Sequence, residues 1–218
     1  MHFFHHSIQK PNDGKTKVKI CGIRRLESAE AAVNAGADFL GFNFVNESPR
    51  FVNPIAAKKI IEKVHHRAEI VGVFKDMPAQ EINELVHYLK LHYVQLHGNE
   101  NPTFVGKIKT KVMKAVSLSA DISLDDTIPI LKAYNAHHIL LDREFQGQGF
   151  PVDFEKAKEV ASHLPIFLAG GLHTNTVAHA IAQVNPFAVD VAGGIETDGH
   201  EDTMKIVAFV QTAKGASA

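Results

Sequence analysis

The sequence predicts a single (β/α)8 barrel, an α/β fold of eight parallel strands each followed by a helix. From residue 18 onward one phrase recurs eight times: a short β-branched or apolar run, a polar loop, then an amphipathic stretch. Several of the apolar runs do not alternate with polar residues, as expected of parallel strands covered on both faces. Eight such units in roughly 200 residues sit near the short end of the barrel's size range. The runner-up is an open doubly wound sheet. Against it, the first strand-to-helix junction, Cys21-Gly22-Ile23-Arg24-Arg25-Leu26, lacks the glycine fingerprint of dinucleotide binding.

The first unit is the run Val18–Ile23 with a helix near 27–35, closed by Gly36 at a position that needs positive φ. The second pairs Phe39–Phe44 with a helix over 54–65, where Asn53 caps and Pro54 occupies the first turn. Ile70–Phe74 precedes a helix over 78–90 that Pro78 begins, and Tyr93–His97 precedes one over 102–109 with the same Asn-Pro start at Asn101-Pro102. The fifth unit, Val112–Val116 with a helix over 125–135, is the weakest because Pro129 falls where the helix should run. His138–Asp142 with 154–163, Ile166–Ala169 with 175–184, and Ala188–Ala192 with 202–213 complete the series.

Of the 218 residues 45% are hydrophobic, enough for one substantial core, and no second composition regime marks a second domain. Residues 1–16 are set apart as a poorly ordered extension and 17–218 as the barrel. The extension carries His2, His5 and His6, which read as a frayed terminus rather than a metal site. A formal charge of −1 gives no reason to expect nucleic acid as a partner, and no apolar stretch approaches the roughly 20 residues of a membrane helix. With one cysteine no intrachain disulfide is possible, which fits a reducing, cytoplasmic setting. The pairs His65-His66 and His137-His138 put neighbours on different faces and read as solvated or packed.

A barrel concentrates chemistry at the C-terminal ends of its strands, which all open on one face. That geometry gathers Cys21, His97 and Asp142 with the pairs Gly170-Gly171 and Gly193-Gly194. A thiol and a carboxyl at two strand ends make a base and an acid for moving protons. The glycine pairs follow strands seven and eight, where such barrels commonly hold phosphate on backbone N–H groups. Taken singly, Cys21 reads more readily as a small buried filler, Asp142 as a helix cap or loop residue, and each glycine pair as a tight turn without a ligand.

In order along the chain, Lys19-Ile-Cys-Gly-Ile23, Gly41-Phe-Asn-Phe44 with Ser48-Pro-Arg50, Val71-Gly-Val-Phe74 and Val94-Gln-Leu-His-Gly98 are followed by further short motifs. These are Leu140-Leu-Asp142, Leu168-Ala-Gly-Gly-Leu172, and Val189-Asp-Val191 with Gly194-Ile-Glu196. Together they resemble the phosphoribosylanthranilate isomerase family over nearly everything after residue 17. The resemblance implies a (β/α)8 barrel and an Amadori rearrangement of a phosphosugar, N-(5-phosphoribosyl)anthranilate, with no cofactor or metal. It implies Cys21 as base, Asp142 as acid, and Arg50 as the holder of the substrate's aromatic carboxylate through a bidentate fork. His97 stands among the substrate-binding candidates, with a packed strand-end histidine as the alternative; Asp190 reads as a buried acid pointing into the barrel. The expected state is a monomer or homodimer.

Two departures from the family pattern stand out. The stretch Phe145-Gln-Gly-Gln-Gly-Phe-Pro-Val-Asp-Phe154 has fewer glycines than usual and phenylalanine in place of tryptophan, and Ala192-Gly193-Gly194 replaces the usual Ser-Ser-Gly. The alternatives are another phosphosugar barrel, such as a ribulose-phosphate epimerase or the histidine-pathway isomerase, and a non-catalytic phosphate-ligand binder. His97 and Asp142 are too few for a metal-dependent epimerase, and the histidine-pathway enzyme resembles a two-aspartate design, whereas strand one here ends in cysteine. An ordinary thiol is only a few per cent thiolate at pH 7, so the base needs help from its surroundings.

Overall fold

The computed structural model describes residues 15–117, 123–143 and 153–216. Most of the predicted N-terminal extension (1–14) and most of the unusual loop after Asp142 (144–152) lie outside the described residues. Among the described residues eight barrel strands alternate with eight helices: β1 (Lys17–Cys21), α1 (Leu26–Ala35), β2 (Phe39–Asn43), α2 (Pro54–Val64), β3 (Glu69–Phe74), α3 (Ala79–Leu89), β4 (Tyr93–Leu96) and α4 (Pro102–Val105). The second half continues with β5 (Lys111–Ser117), α5 (Leu124–Ala133), β6 (His138–Asp142), α6 (Phe154–His163), β7 (Ile166–Leu168), α7 (Thr174–Val184), β8 (Ala188–Val191) and, after a two-stranded hairpin of β9 (Glu196–Thr197) and β10 (His200–Glu201), α8 (Thr203–Gly215). Strands β1 to β8 pair in parallel in chain order and β8 pairs back to β1, which closes the predicted barrel. Among the described residues no helix is long and apolar enough to cross a membrane.

Local chemistry sets the boundaries. The Asn53 and Asn101 side chains accept from the amides of Ile55 and Phe104, both at 2.9 Å, and Pro54 and Pro102 begin their helices. Gly36 ends α1 at φ 98°. Pro78 is the residue before α3 rather than part of it. The fourth helix stops at Val105, well short of the expected 109, and α5 runs through Pro129. Pro129 lies on the exposed side of α5, so the carbonyl left without its N–H partner faces water.

Two apolar clusters divide the core. Outward strand residues such as Val18, Ile20, Leu40 and Val189 pack against the helices, and inward ones such as Phe39, Val71, Met113, Leu140 and Phe167 fill the barrel. Aromatic rings gather where the strands begin. Phe39 meets Tyr93 and Phe167 edge to face at 5.7 and 5.1 Å, and His138 stacks on Phe187 at 4.5 Å. This floor seals the end opposite the strand C-termini. At the other end a buried ion pair ties the loops after β3 and β4 together. Lys114 Nζ donates to Glu100 (3.0 Å) and to the carbonyl of Gly98 (2.6 Å), while Glu100 accepts from the amides of Asp76 and Gly98.

Burial of the His138 imidazole pushes its pKa down to about 4; a hydrogen bond to the Pro165 carbonyl opposes this only in part. The unfolded chain therefore binds a proton at His138 between about pH 6.5 and 4 where the folded chain does not, so this contribution to stability is complete above pH 6.5 and is lost as pH falls toward 4. The loss is on the order of 2–3 kcal/mol. Urea unfolding at pH 7 and pH 4.5 should show His138→Phe losing less stability on acidification than the parent by about that amount; equal losses would remove His138 as the acid-sensitive group.

Candidate active site

Inward-facing positions on β1 are Lys19 and Cys21, and the barrel seam sets Lys19 beside Asp190 of β8. Lys19 is fully buried, and its Nζ donates to Asp190 Oδ1 at 2.8 Å. On the other side, β2 places Gly41 against both: a Cβ there would sit 2.7 Å from Cys21 Sγ and 3.2 Å from Lys19 Nζ. The missing side chain is what leaves room for a thiol and an ammonium in the same niche. Burial works to lower the Lys19 pKa, but Asp190 and Cys21 outweigh it and the net shift is upward, so the ammonium persists. For Cys21 burial dominates and pushes the thiol up, with Asp190 adding to that; Lys19 and Arg50 pull it back.

Arg50 reaches this niche from the loop after β2. Its stem lies over Gly22, where a Cβ would come within 2.7 Å of Arg50 Cδ, and the backbone there has φ +85°. Both demands call for glycine. Arg50 Nε and Nη2 donate to the two carboxylate oxygens of Glu196 at 2.9 and 2.7 Å. This pair raises the Arg50 pKa against its partial burial. Glu196 is fixed in turn because the β9–β10 hairpin is stitched to neighbouring loops by Arg24, whose Nη1 donates to the Pro49 carbonyl (2.8 Å) and Nη2 to the Gly199 carbonyl (2.7 Å). Glu201, 3% exposed, accepts from the Arg24 amide at 2.6 Å, and its carbonyl accepts from Arg25.

Across the mouth, His97 follows β4 and faces Asp142 at the end of β6, with Nε2 3.5 Å from Oδ2. The other carboxylate oxygen accepts from the Arg143 amide at 2.8 Å. Buried Gln95, two residues before His97 and so on the same face, lies 3.0 Å from His97 Nδ1. Among the described residues no hydrogen bond or ion pair joins Cys21 to Asp142; each belongs to its own cluster on either side of the opening.

The two glycine pairs differ in what they require. Gly170 and Gly171 have φ +88° and +87°, and a Cβ on Gly171 would lie 3.2 Å from Arg143 Nη1. A Cβ on Gly194 would be 2.0 Å from the Leu172 carbonyl, so the loops after β7 and β8 touch backbone to backbone there. A Cβ on Gly193 would sit 3.3 Å from Arg50 Nη2.

Lys19, Gln95 and Glu196 join the site without having stood out in the sequence as individual site residues, and Asp190 stood out in a structural role only. Lys19 carried a usable signal: a charge between Val18 and Ile20 in a buried strand demands a partner. Glu196 gave no such signal, because its partner arrives from a loop 146 residues away. Among the described residues no group of three or more His, Cys, Asp or Glu side chains forms a metal-binding cluster.

The sequence model of N-(5'-phosphoribosyl)anthranilate isomerase matches residues 18–212. The N-(5'-phosphoribosyl)anthranilate isomerase of Geobacter sp. (strain M21) is 41% identical over 207 residues, 93% of this chain and 100% of that one. The crystal structure of the phosphoribosyl anthranilate isomerase of Thermotoga maritima superposes with a TM-score of 0.83 at 35% identity, covering 92% of this chain and 99% of that one. A related crystal structure, in complex with reduced 1-(o-carboxyphenylamino)-1-deoxyribulose 5-phosphate, superposes at 0.78 with 33% identity and the same coverage.

Replacing Lys19 by Met together with Asp190 by Asn removes both charges, so neither is left buried alone. Because Lys19 heads the influences that pull the thiol down, the Cys21 pKa should rise further. The thiolate fraction at fixed pH should then fall, about tenfold for each pH step by which the titration midpoint moves. With one cysteine in the chain, thiolate absorbance read against Cys21→Ser measures this directly; an unchanged titration would mean that Lys19 does not govern the thiol.

Proposed function

The chain belongs to the N-(5'-phosphoribosyl)anthranilate isomerase family, and we propose that it performs that family's reaction with Cys21 as the base and Asp142 as the acid. The activity is the isomerisation of N-(5'-phosphoribosyl)anthranilate in tryptophan biosynthesis, an aldose-to-ketose step. The observation that best supports the two roles is the pairing of each group with its own partner at the open end of the barrel: Cys21 beside the Lys19 ammonium, Asp142 opposite His97.

The Asp142 carboxyl gives its proton to the furanose ring oxygen as the C1–O bond breaks and the nitrogen lone pair forms C1=N. The Cys21 thiolate then takes the C2 proton, and the electrons left behind form the C1=C2 bond of the enolamine. Tautomerisation adds a proton at C1 and removes one from the C2 hydroxyl, so the cycle consumes none. Burial makes the thiolate scarce but correspondingly strong as a base, and the neighbouring ammonium limits the scarcity.

Arg50 fits a carboxylate holder whose orientation is already set. Glu196 takes the Nε–Nη2 edge, and among the described residues no hydrogen bond uses the Nη1–Nη2 edge. A guanidinium carries two such edges, so the substrate's aromatic carboxylate and Glu196 bind side by side rather than compete. The phosphate is assigned to backbone N–H groups of Gly170, Gly171, Gly193 and Gly194, supported by the left-handed backbone at the first pair and the meeting of the two loops at Gly194. We take the setting to be cytoplasmic and the state monomeric or homodimeric; the Thermotoga maritima relative is dimeric.

Cys21→Ala and Asp142→Asn should each lower kcat by roughly 10²–10⁴-fold with the fold intact, and neither should rescue a tryptophan auxotroph that lacks this isomerase. Near-normal turnover by either variant would sink its assigned role. Arg50→Lys and Glu196→Gln should act mainly on KM, raising it by about 10- to 100-fold for the former, as expected for loss of a charge-assisted fork. Steady-state kinetics would refute this if kcat fell and KM stayed constant.

A further inference from the structure

Resting on the reading of Asp142 as the acid, we propose that Gln95 is a positioning residue that holds His97 in its Nε2–H tautomer and thereby keeps the Asp142 proton available to substrate. The Gln95 amide nitrogen lies 3.0 Å from His97 Nδ1. An amide NH2 only donates, so Nδ1 is the accepting, proton-free nitrogen and the ring proton sits on Nε2. That nitrogen faces Asp142 Oδ2 at 3.5 Å. The ring itself is anchored because the His97 backbone N–H donates to the Phe74 carbonyl at 2.8 Å.

The consequence is chemical. Oδ1 of Asp142 already accepts from the Arg143 amide, so the transferable proton belongs on Oδ2, the oxygen facing the imidazole. An imidazole whose bare nitrogen faced Oδ2 would be a better proton acceptor than the carboxylate and would take that proton, leaving an imidazolium–carboxylate pair with no acid to offer. With Nε2 already protonated, Oδ2 can only accept from it, and its own proton is left for the substrate's ring oxygen. The other nitrogen of the ring is meanwhile covered by Gln95, which is 1% exposed.

The test is 15N NMR of imidazole-labelled protein combined with kinetics. In the parent, His97 Nδ1 should resonate as an unprotonated nitrogen and Nε2 as a protonated one. Gln95→Glu offers only an acceptor to Nδ1 and should convert His97 to the Nδ1–H tautomer or to imidazolium. Gln95→Met removes the hydrogen bond without adding charge and decides the matter where the glutamate variant fails to fold. Both should lower kcat by about tenfold or more with KM nearly constant. A protonated Nδ1 in the parent overturns the proposal, as does a folded Gln95→Met protein with the parent's kcat. Asp142→Asn run in parallel keeps the two readings apart: retained turnover there removes the acid assignment, while the His97 spectrum still decides the tautomer.

Discussion

The site depends on one ion pair. Lys19 and Asp190 lie 171 residues apart in sequence and 2.8 Å apart in space, because the barrel closes by laying β8 against β1. Replacing such a buried pair with apolar residues is often neutral or stabilising, since desolvation consumes most of the attraction. Stability is therefore a weak reason for its presence. What it does supply is an ammonium fixed beside the only thiol in the chain, in a niche that is dry enough for the charge to be felt. Asp190 holds the ammonium in place and keeps it protonated. The same carboxylate raises the thiol's pKa, so the niche is a compromise between holding the cation and exposing its charge to sulfur.

Around that pair the loops at the strand C-termini are fastened to one another rather than left as separate turns. Arg24 bonds Pro49, Gly199 and Glu201 across three loops, and Lys114 with Glu100 does the same between β3, β4 and β5. Each fastening uses a buried carboxylate and a cation from a different strand or loop, so the pairs beside them, Arg50 with Glu196 and His97 with Asp142, sit on loops already held in place. Catalysis by fixed charges and donors depends on this kind of pre-organisation, because nothing has to reorient as the reaction proceeds.

Much of the fold was legible in local chemistry. The Asn53-Pro54 and Asn101-Pro102 starts, the Gly36 stop and the eight apolar runs each reflect interactions between residues close in sequence. Pro129 misled in the other direction: a proline in a helix is costly only if the carbonyl it strands is buried, and burial is a tertiary property. The early end of α4 at Val105 is different: Gly106 takes the C-cap position directly after it, a local stop signal that the expected end at 109 overran.

The sequence by itself determined the order of the elements, the face on which Cys21, His97, Asp142 and the glycine pairs emerge, and through its ordered motifs the family. Those follow from periodicity, caps and strand ends, all of them short-range. Only the tertiary structure decided what charges those groups meet: that Asp190 holds Lys19 beside the thiol, that Glu196 occupies one edge of Arg50, and that His97 faces Asp142. Electrostatic neighbours act through space across a few ångströms, and the barrel's closure draws them from strands and loops too far apart along the chain for any local pattern to pair them.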